Sequence, residues 1–428
     1  MIRPAANKPG VTKPGVNKLS ANGHGAGGPG TLAGVRIAMV NWRDPWHPEA
    51  GGAETYSWEM AQGLSRRGAH VTYLTARADG QSASEHRDSI AIVRLGSRFT
   101  VYPRVFGWLL RHRRAFDAVV DCQNGIPFFT PWALPRHVPV FCVMHHVHDA
   151  QFGVHFSPPV AAIGRLLEGP VARRAYRRHQ CVAVSRSTAL AMSQRLGWTG
   201  PVSVIPNGLS PIVMDTGAPE PVTAARGVDD GAAATITWVG RIVAHKRVER
   251  VLAVASRLAP AGVTIDVIGR GPWSEQLAAQ IASLGLGESV RLRGYLPEDA
   301  KRAAVAGSLL HLNTSQGEGW GLCVLEAAQL GVPTVAYDVD GLRDAVRDGE
   351  TGWLVRSGER LEDVVERALK TLSDAGRRAE IGAACRAWAA QFDWDSSAGQ
   401  LAELIGASLG RGGGELEAVR HDYARNRA

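Results

Sequence analysis

No apolar run in the 428-residue chain approaches the roughly 20 positions that an α-helix needs to cross a bilayer. The longest one, residues 138–144, has the length of a strand and runs into histidines. Residues 1–34 lack an apolar centre, which argues against a secretory signal. Cysteine is scarce: Cys122, Cys142, Cys181, Cys323 and Cys385 are odd in number and form no C-x-x-C pair. Three of them sit in apolar, strand-like runs. This argues against a disulfide framework or a zinc site and points to reduced, buried thiols in a soluble, cytoplasmic protein. The G-x-G-x-x-G signature of a nicotinamide-dependent oxidoreductase is missing too, because after Val40 the chain reads Asn41-Trp-Arg-Asp44. Acids are absent from the first 34 residues, whose Arg3, Lys8, Lys13 and Lys18 supply half of the net charge of +8. The +4 left on the rest suits a protein that handles phosphates or touches an anionic membrane. No nucleic-acid recognition motif accompanies that charge.

What is present is a long chain with alternating pattern. At 428 residues it exceeds one ordinary core, so two domains are expected. Residues 1–34, rich in Gly, Pro, Asn and Lys, cannot bury enough apolar surface to offset their ordering entropy and are expected to be disordered. Folding should start at Val35. A buried strand is expected at 35–40, then a helix over 54–67 with Ala53, Tyr56, Met60 and Leu64 on one face. Strands follow at 70–75, 90–95, 118–121, 138–144, 181–184 and 202–205. The Pro- and Gly-rich stretch 209–234 breaks the pattern and reads as a linker between a domain at 35–208 and one at 235–392. The second series runs through strands at 235–239, 264–268, 290–293, 309–312 and 334–337. Strands alternating with helices predict an α/β fold of two doubly wound parallel sheets, with ligands beyond the carboxyl ends of the strands, in an interdomain cleft.

The richest segment is Asn313-Thr-Ser-Gln-Gly-Glu-Gly-Trp-Gly-Leu-Cys-Val-Leu-Glu326. A strand runs into a turn at Gly317, Gly319 and Gly321, and a helix opens at Leu322. Glycines admit a ligand close to the backbone, and the helix N-terminus offers free N–H groups and the positive end of a dipole; a diphosphate fits there. Glu318 and Glu326 are eight positions apart and should address different parts of one ligand. Trp238-Val-Gly-Arg-Ile-Val-Ala-His-Lys246 places Arg241 and Lys246 at a strand-to-helix turn, where two cations can neutralise a departing diphosphate. The helix dipole disfavours cations at that end, so their placement hints at function. Gly51 and Gly52 lie in the loop between the first strand and the first helix. Met144-His145-His146-Val-His148 leaves a strand at its carboxyl end. Three histidines invite a metal, but H-H-x-H at a strand end lacks an evident fourth ligand. Asp338-Val-Asp340 reads as a loop with capping aspartates.

Together these segments closely resemble the retaining family-four glycosyltransferases with the GT-B fold, and the likeness runs from residue 35 to about 409. The resemblance implies two Rossmann-like domains facing a cleft. It implies transfer of a hexose from a GDP-mannose or UDP-glucose type donor to a glycan or glycolipid acceptor, without a metal or other cofactor. Glu318 would contact the donor sugar, and Glu326 the ribose. Gly319, Trp320, Gly321 and Leu322 would meet the sugar and phosphates through their backbone. Arg241 and Lys246 correspond to the G-R-x4-K phosphate element, with Gly240 beside them and Gly269 in a neighbouring strand-end loop. Gly51 and Gly52 correspond to the glycine loop near the donor phosphates. His145, with His146 as the alternative, corresponds to a histidine that hydrogen-bonds the donor sugar. Residues 393–409 resemble a terminal helix that crosses back onto the first domain, and 410–428 are expected to fray. An epimerase or a non-catalytic sugar-nucleotide-binding protein on the same fold is the alternative reading.

Residues 97–116 interleave Phe99, Phe106, Trp108 and Leu110 with Arg98, Arg104, Arg111 and Arg113, and a second basic group, Arg173, Arg174, Arg177, Arg178 and His179, is expected on a later helix. Two readings stay open: a peripheral contact with an anionic membrane, at its inner face and near a lipid-linked acceptor, or a core helix with a solvated basic edge. The sequence implies no oligomeric state.

Overall fold

The computed structural model describes residues 31–212 and 234–411. Residues 1–30, residues 412–428 and most of the expected linker, 213–233, lie outside the described residues. The start of the fold is earlier than Val35. Leu32 is fully buried in the core, and its N–H donates to Arg67 O at 3.0 Å.

The first lobe carries strands β1 (Arg36–Val40), β2 (His70–Thr75), β3 (Ser84–Arg87), β4 (Ile90–Arg94), β5 (Ala118–Gln123), β6 (Val140–Met144), β7 (Gln180–Ala183) and β8 (Val202–Val204). They form one sheet in the order β3-β4-β2-β1-β5-β6-β7-β8, parallel except for β3. The second lobe carries β9 (Thr235–Val239), β10 (Thr264–Ile268), β11 (Val290–Gly294), β12 (Leu310–Asn313), β13 (Thr334–Tyr337) and β14 (Gly352–Val355). These form an all-parallel sheet in the order β11-β10-β9-β12-β13-β14. Central strands such as β5 and β6 are buried along their whole length, since helices cover both faces; β6 reads as an unbroken apolar run, while β5 also buries Asp121 and Gln123. The edge strand β3, Ser-Glu-His-Arg, is short and polar, as an unpaired edge favours, and has no apolar alternation to betray it. β14 escaped notice for a different reason: only four residues follow a turn.

In each sheet the strand order reverses at one point, between β1 and β5 in the first lobe and between β9 and β12 in the second. Such switch points open a crevice at the carboxyl ends of the strands. The loops leaving β1, β6, β9 and β12 carry the residues singled out in the sequence.

The last helix, Trp394–Ser408, returns to the first lobe and lies on helix Gly52–Arg66. A side chain at Gly63 would overlap the Ala398 side chain, so the two helices approach closely there. Arg67 forks onto the Asp395 carboxylate at 2.9 and 3.0 Å, and Leu209 N donates to Phe392 O at 3.1 Å. Helix Val101–Arg111 turns Val101, Val105 and Leu109 into the core and packs Tyr102, Phe106 and Trp108 against it. Phe99 and Leu110 remain the large apolar residues on its surface. The arrangement is that of a core helix with a solvated basic edge.

Candidate active site

The second lobe builds its wall of the cleft from two strand-end loops tied to each other. Trp238 Nε1 donates to Thr314 Oγ1 (2.9 Å), and Thr314 Oγ1 donates to Lys246 O (2.8 Å). This fixes the loop after β9 against the loop after β12. Gly321, at φ 84°, turns the chain in the left-handed region that glycine tolerates and leads into helix Leu322–Gln329, whose first N–H groups have no side-chain cap. Glu318 is held on three sides. Its N–H donates to Asp340 O (2.9 Å), and Ser315 Oγ donates to its Oε1 (2.6 Å). Lys246 Nζ lies 2.6 Å from the same oxygen, with both side chains about one-sixth exposed. Burial pushes the Glu318 carboxyl upward, but the Lys246 ammonium and the Ser315 hydroxyl overcome it and hold the group below the ordinary carboxylate range. Burial likewise pulls Lys246 down, and the Glu318 charge more than restores it. The two residues expected to address different ends of a donor are therefore each other's partner here.

Arg241 is exposed and reaches toward the first lobe: a Cβ on Gly51 would sit 4.0 Å from its guanidinium. Gly240 bonds Ile268 O through its N–H (3.0 Å), and a side chain at Gly269 would overlap Gly240 O. Glycine at 269 thus serves loop-on-loop packing. Glu326, one helical stretch beyond Glu318, pairs with Lys301 Nζ at 3.1 Å. Lys301 and Arg302, on helix Glu298–Ala306, line the cleft and were not anticipated, for they sit on a polar helix without a motif.

The first lobe contributes backbone and neutral rings. A side chain at Gly52 would meet Leu322 Cδ1 at 3.0 Å, and one at Gly317 would meet the His146 ring at 3.3 Å. At Gly319 it would overlap His145 O, so this glycine lets the turn rest on the strand end of the other lobe. The His145 ring stands edge-on to Tyr56, 5.0 Å between centroids, and its Nε2 is buried with no hydrogen-bond partner among the described residues. Burial, then the nearby His148, pulls the His145 pKa down to about 3. The same causes bring His146 to about 3, so both rings are neutral at physiological pH. Trp320 buries its ring against Phe392 and leaves Nε1 without a partner among the described residues. Of the three histidines, His145 faces Tyr56, while the His146 ring, beside Gly317, stands edge-on to the His148 ring at 5.3 Å between centroids; the His148 backbone N–H donates to the buried Glu168 at 2.7 Å. Asp338 and Asp340 do not cap a helix; both pair with Arg343, and Asp340 also with Arg195 of the first lobe. A second link between the lobes joins Asp344 to Ser187 N and Oγ.

Of the fourteen residues named from the sequence, all but Gly269 line one cleft of about 690 Å³ between the lobes.

Comparison with known proteins bears on that cleft. The family description "Glycosyl transferases group 1" matches residues 227–388, and "Glycosyltransferase Family 4" matches residues 50–211. The chain belongs to the group 1, family-four glycosyltransferases. Over 257 residues this family member is 30% identical to a GDP-mannose-dependent alpha-(1-6)-phosphatidylinositol monomannoside mannosyltransferase of Mycolicibacterium smegmatis. That match covers 55% of the chain and 65% of the relative. It is 33% identical to a D-inositol 3-phosphate glycosyltransferase of Rhodococcus jostii, over 39% of each protein. The matched part is thus less than two-thirds of the length of these relatives. Among solved structures, sucrose-phosphate synthase from Thermosynechococcus elongatus aligns with a TM-score of 0.73 at 18% identity, covering 88% of the chain and all of the other. The Anabaena protein HepE, in complex with UDP and glucose, aligns with a TM-score of 0.65 at 20% identity, over 87% and 100%. At these identities the structural likeness shows the fold, which is GT-B.

Proposed function

We propose that the chain transfers a hexose from a nucleotide-diphosphate sugar to a glycan or glycolipid hydroxyl, with retention of anomeric configuration. One observation carries this reading: the Lys246–Glu318 pair, the N-terminus of helix Leu322–Gln329, which no side chain caps, and His145, whose Nε2 has no partner among the described residues, line the same interlobe cleft. A donor diphosphate against that N-terminus would meet Lys246 and Arg241, two cations placed where negative charge grows as the leaving group departs. Glu318 and the neutral His145 would hold sugar hydroxyls. Glu326 lies further along the same helix, where a ribose would extend. With Glu318 tied to Lys246, and Glu298 and Glu326 to Lys301, each carboxylate lining the cleft among the described residues is already ion-paired. The reading is therefore attack on the face of departure, the leaving phosphate taking the acceptor's proton. The names of the two curated relatives support mannose or another hexose as cargo and an inositol-containing acceptor.

The test combines ligand binding and turnover. GDP, UDP and their sugars would be screened by thermal shift, since a ligand at about 100 times its dissociation constant adds roughly 2.7 kcal/mol. Release of free nucleoside diphosphate only in the presence of acceptor, with NMR of the product anomer, completes it. Stabilisation by none of these nucleotides, or an inverted product, overturns the reading.

A further inference from the structure

Residues Pro158–Leu166, Leu167–Val171 and Ala172–Tyr176 form one continuous helical rod, with a π turn in its middle. Its packing is inverted for a surface helix, which normally turns its large aliphatic side chains inward. The inward face consists of Ala161, Gly164, Glu168, Gly169, Ala172, Ala175 and Tyr176, so that over Pro158–Leu166 only Ala161 and Gly164 are buried. Val160, Ile163 and Leu166 point outward, 48%, 57% and 52% exposed, with Phe156 beside them. Trp132, about half exposed, lies on a turn packed beside residues 172–176 and extends the apolar surface. Contiguous exposed patches of this kind mark interaction surfaces.

The charge on the same rod identifies the partner. Arg165, Arg173, Arg174, Arg177 and Arg178 are all exposed. The one acid in the span, Glu168, is buried and accepts from His148 N. Arg165 and Arg173 also bond backbone carbonyls, while Arg174, Arg177 and Arg178 enter no ion pair among the described residues. An aliphatic stripe flanked by unneutralised arginines matches a surface that is apolar beneath and anionic on top. We infer that this rod, not the helix at 101–111, seats the first lobe on an anionic lipid bilayer. Helix Asp149–His155, whose Gln151 lines the cleft, packs against the rod, so docking sets the cleft mouth beside the bilayer surface. The inference stands on surface chemistry and is independent of the transfer reaction.

Flotation of the full-length protein with phosphatidylcholine vesicles, with and without phosphatidylglycerol, tests it. Binding should require the anionic lipid and weaken with salt. Arg174→Ala/Arg177→Ala should weaken binding about fivefold per arginine. Ile163→Ser/Leu166→Ser should weaken it at least tenfold, on the order of ~0.8 kcal/mol for each buried CH2 lost, with unchanged melting and nucleotide binding. Arg111→Ala/Arg113→Ala should bind as the parent does. The inference is overturned by equal binding to neutral vesicles, or by no binding to either. It is also overturned if the 111/113 pair abolishes binding while the rod variants keep it, or if the rod variants only dissolve a dimer seen in sedimentation.

Discussion

The two lobes share an architecture and face one cleft, yet they furnish it with opposite chemistry. The second lobe brings charge: Lys246, Glu318, Arg241 and the Lys301–Glu326 pair, all on strand-end loops and helix starts. The first lobe brings glycine backbone at 51 and 52 and two rings that burial keeps neutral. Charge needs an internal partner when desolvated, so it sits where loops are pinned, as Trp238 and Thr314 pin these. A neutral wall needs no such support. On the proposed function, this is a division of labour in which the second lobe would hold the anionic donor and the first would face its sugar.

The sharpest way to break this comparison is to remove charge from the second lobe. Lys246→Ala and Glu318→Ala should each lower kcat/KM about 100- to 1,000-fold, the ~3–4 kcal/mol typical of a preorganised electrostatic contact, with the chain still folded by circular dichroism. Turnover at the parent rate in either variant would remove the charged wall from the chemistry. Gly319→Ala comes next. The added methyl overlaps His145 O, so the lobes must part at a cost of about 1–3 kcal/mol. Activity should fall and the radius of gyration in solution scattering should rise; unchanged scattering would show that the lobes do not meet there.

Neutrality of the first lobe predicts a pH effect whose sign is set by depressed histidines. His145 is held at about 3 by burial, and so is His311 beneath the second lobe's site. The unfolded chain takes up protons at these rings below about 6.5 while the folded chain does not, so stability is full above that pH and declines as pH falls toward 3. From pH 7 to 5.5 the loss should be on the order of 1 kcal/mol per ring in urea unfolding, and His145→Gln should erase that ring's share while leaving those of His146 and His311. The smallest effect belongs to the link between lobes. Asp344→Ala removes the contacts to Ser187 and should cost about 1 kcal/mol of closure, read as a KM raised a few-fold with kcat kept. An unchanged KM would detach that link from closure.

Much of this molecule was legible without coordinates. Twelve of the fourteen strands among the described residues can be read from the sequence, most of them as apolar runs, because parallel strands covered on both faces have no polar side to hide. The glycines at 317, 319 and 321 announced a close approach, though what approaches in this structure is protein: the His146 ring at Gly317, His145 O at Gly319, and Leu342 with Ala345 at Gly321. Gly269 reads as a ligand contact in sequence, whereas its Cβ position in the structure meets Gly240 O, since a glycine records proximity without naming the neighbour. β3 and Lys301 stayed hidden, one for lack of periodicity and the other for lack of a motif.

From composition, period and glycine spacing alone came the two doubly wound lobes and the short segments that meet at a phosphate-sized turn, because local backbone demands are written locally. Only the packed chain decided that Lys246 and Glu318 neutralise each other, that Tyr102, Phe106, Trp108 and Phe116 pack against the core while Phe99 does not, and that Val160, Ile163 and Leu166 face outward. Partner and facing depend on which elements happen to be stacked against a given side chain. That is a long-range property, set by how the sheets and helices share a limited interior, and no local pattern encodes it.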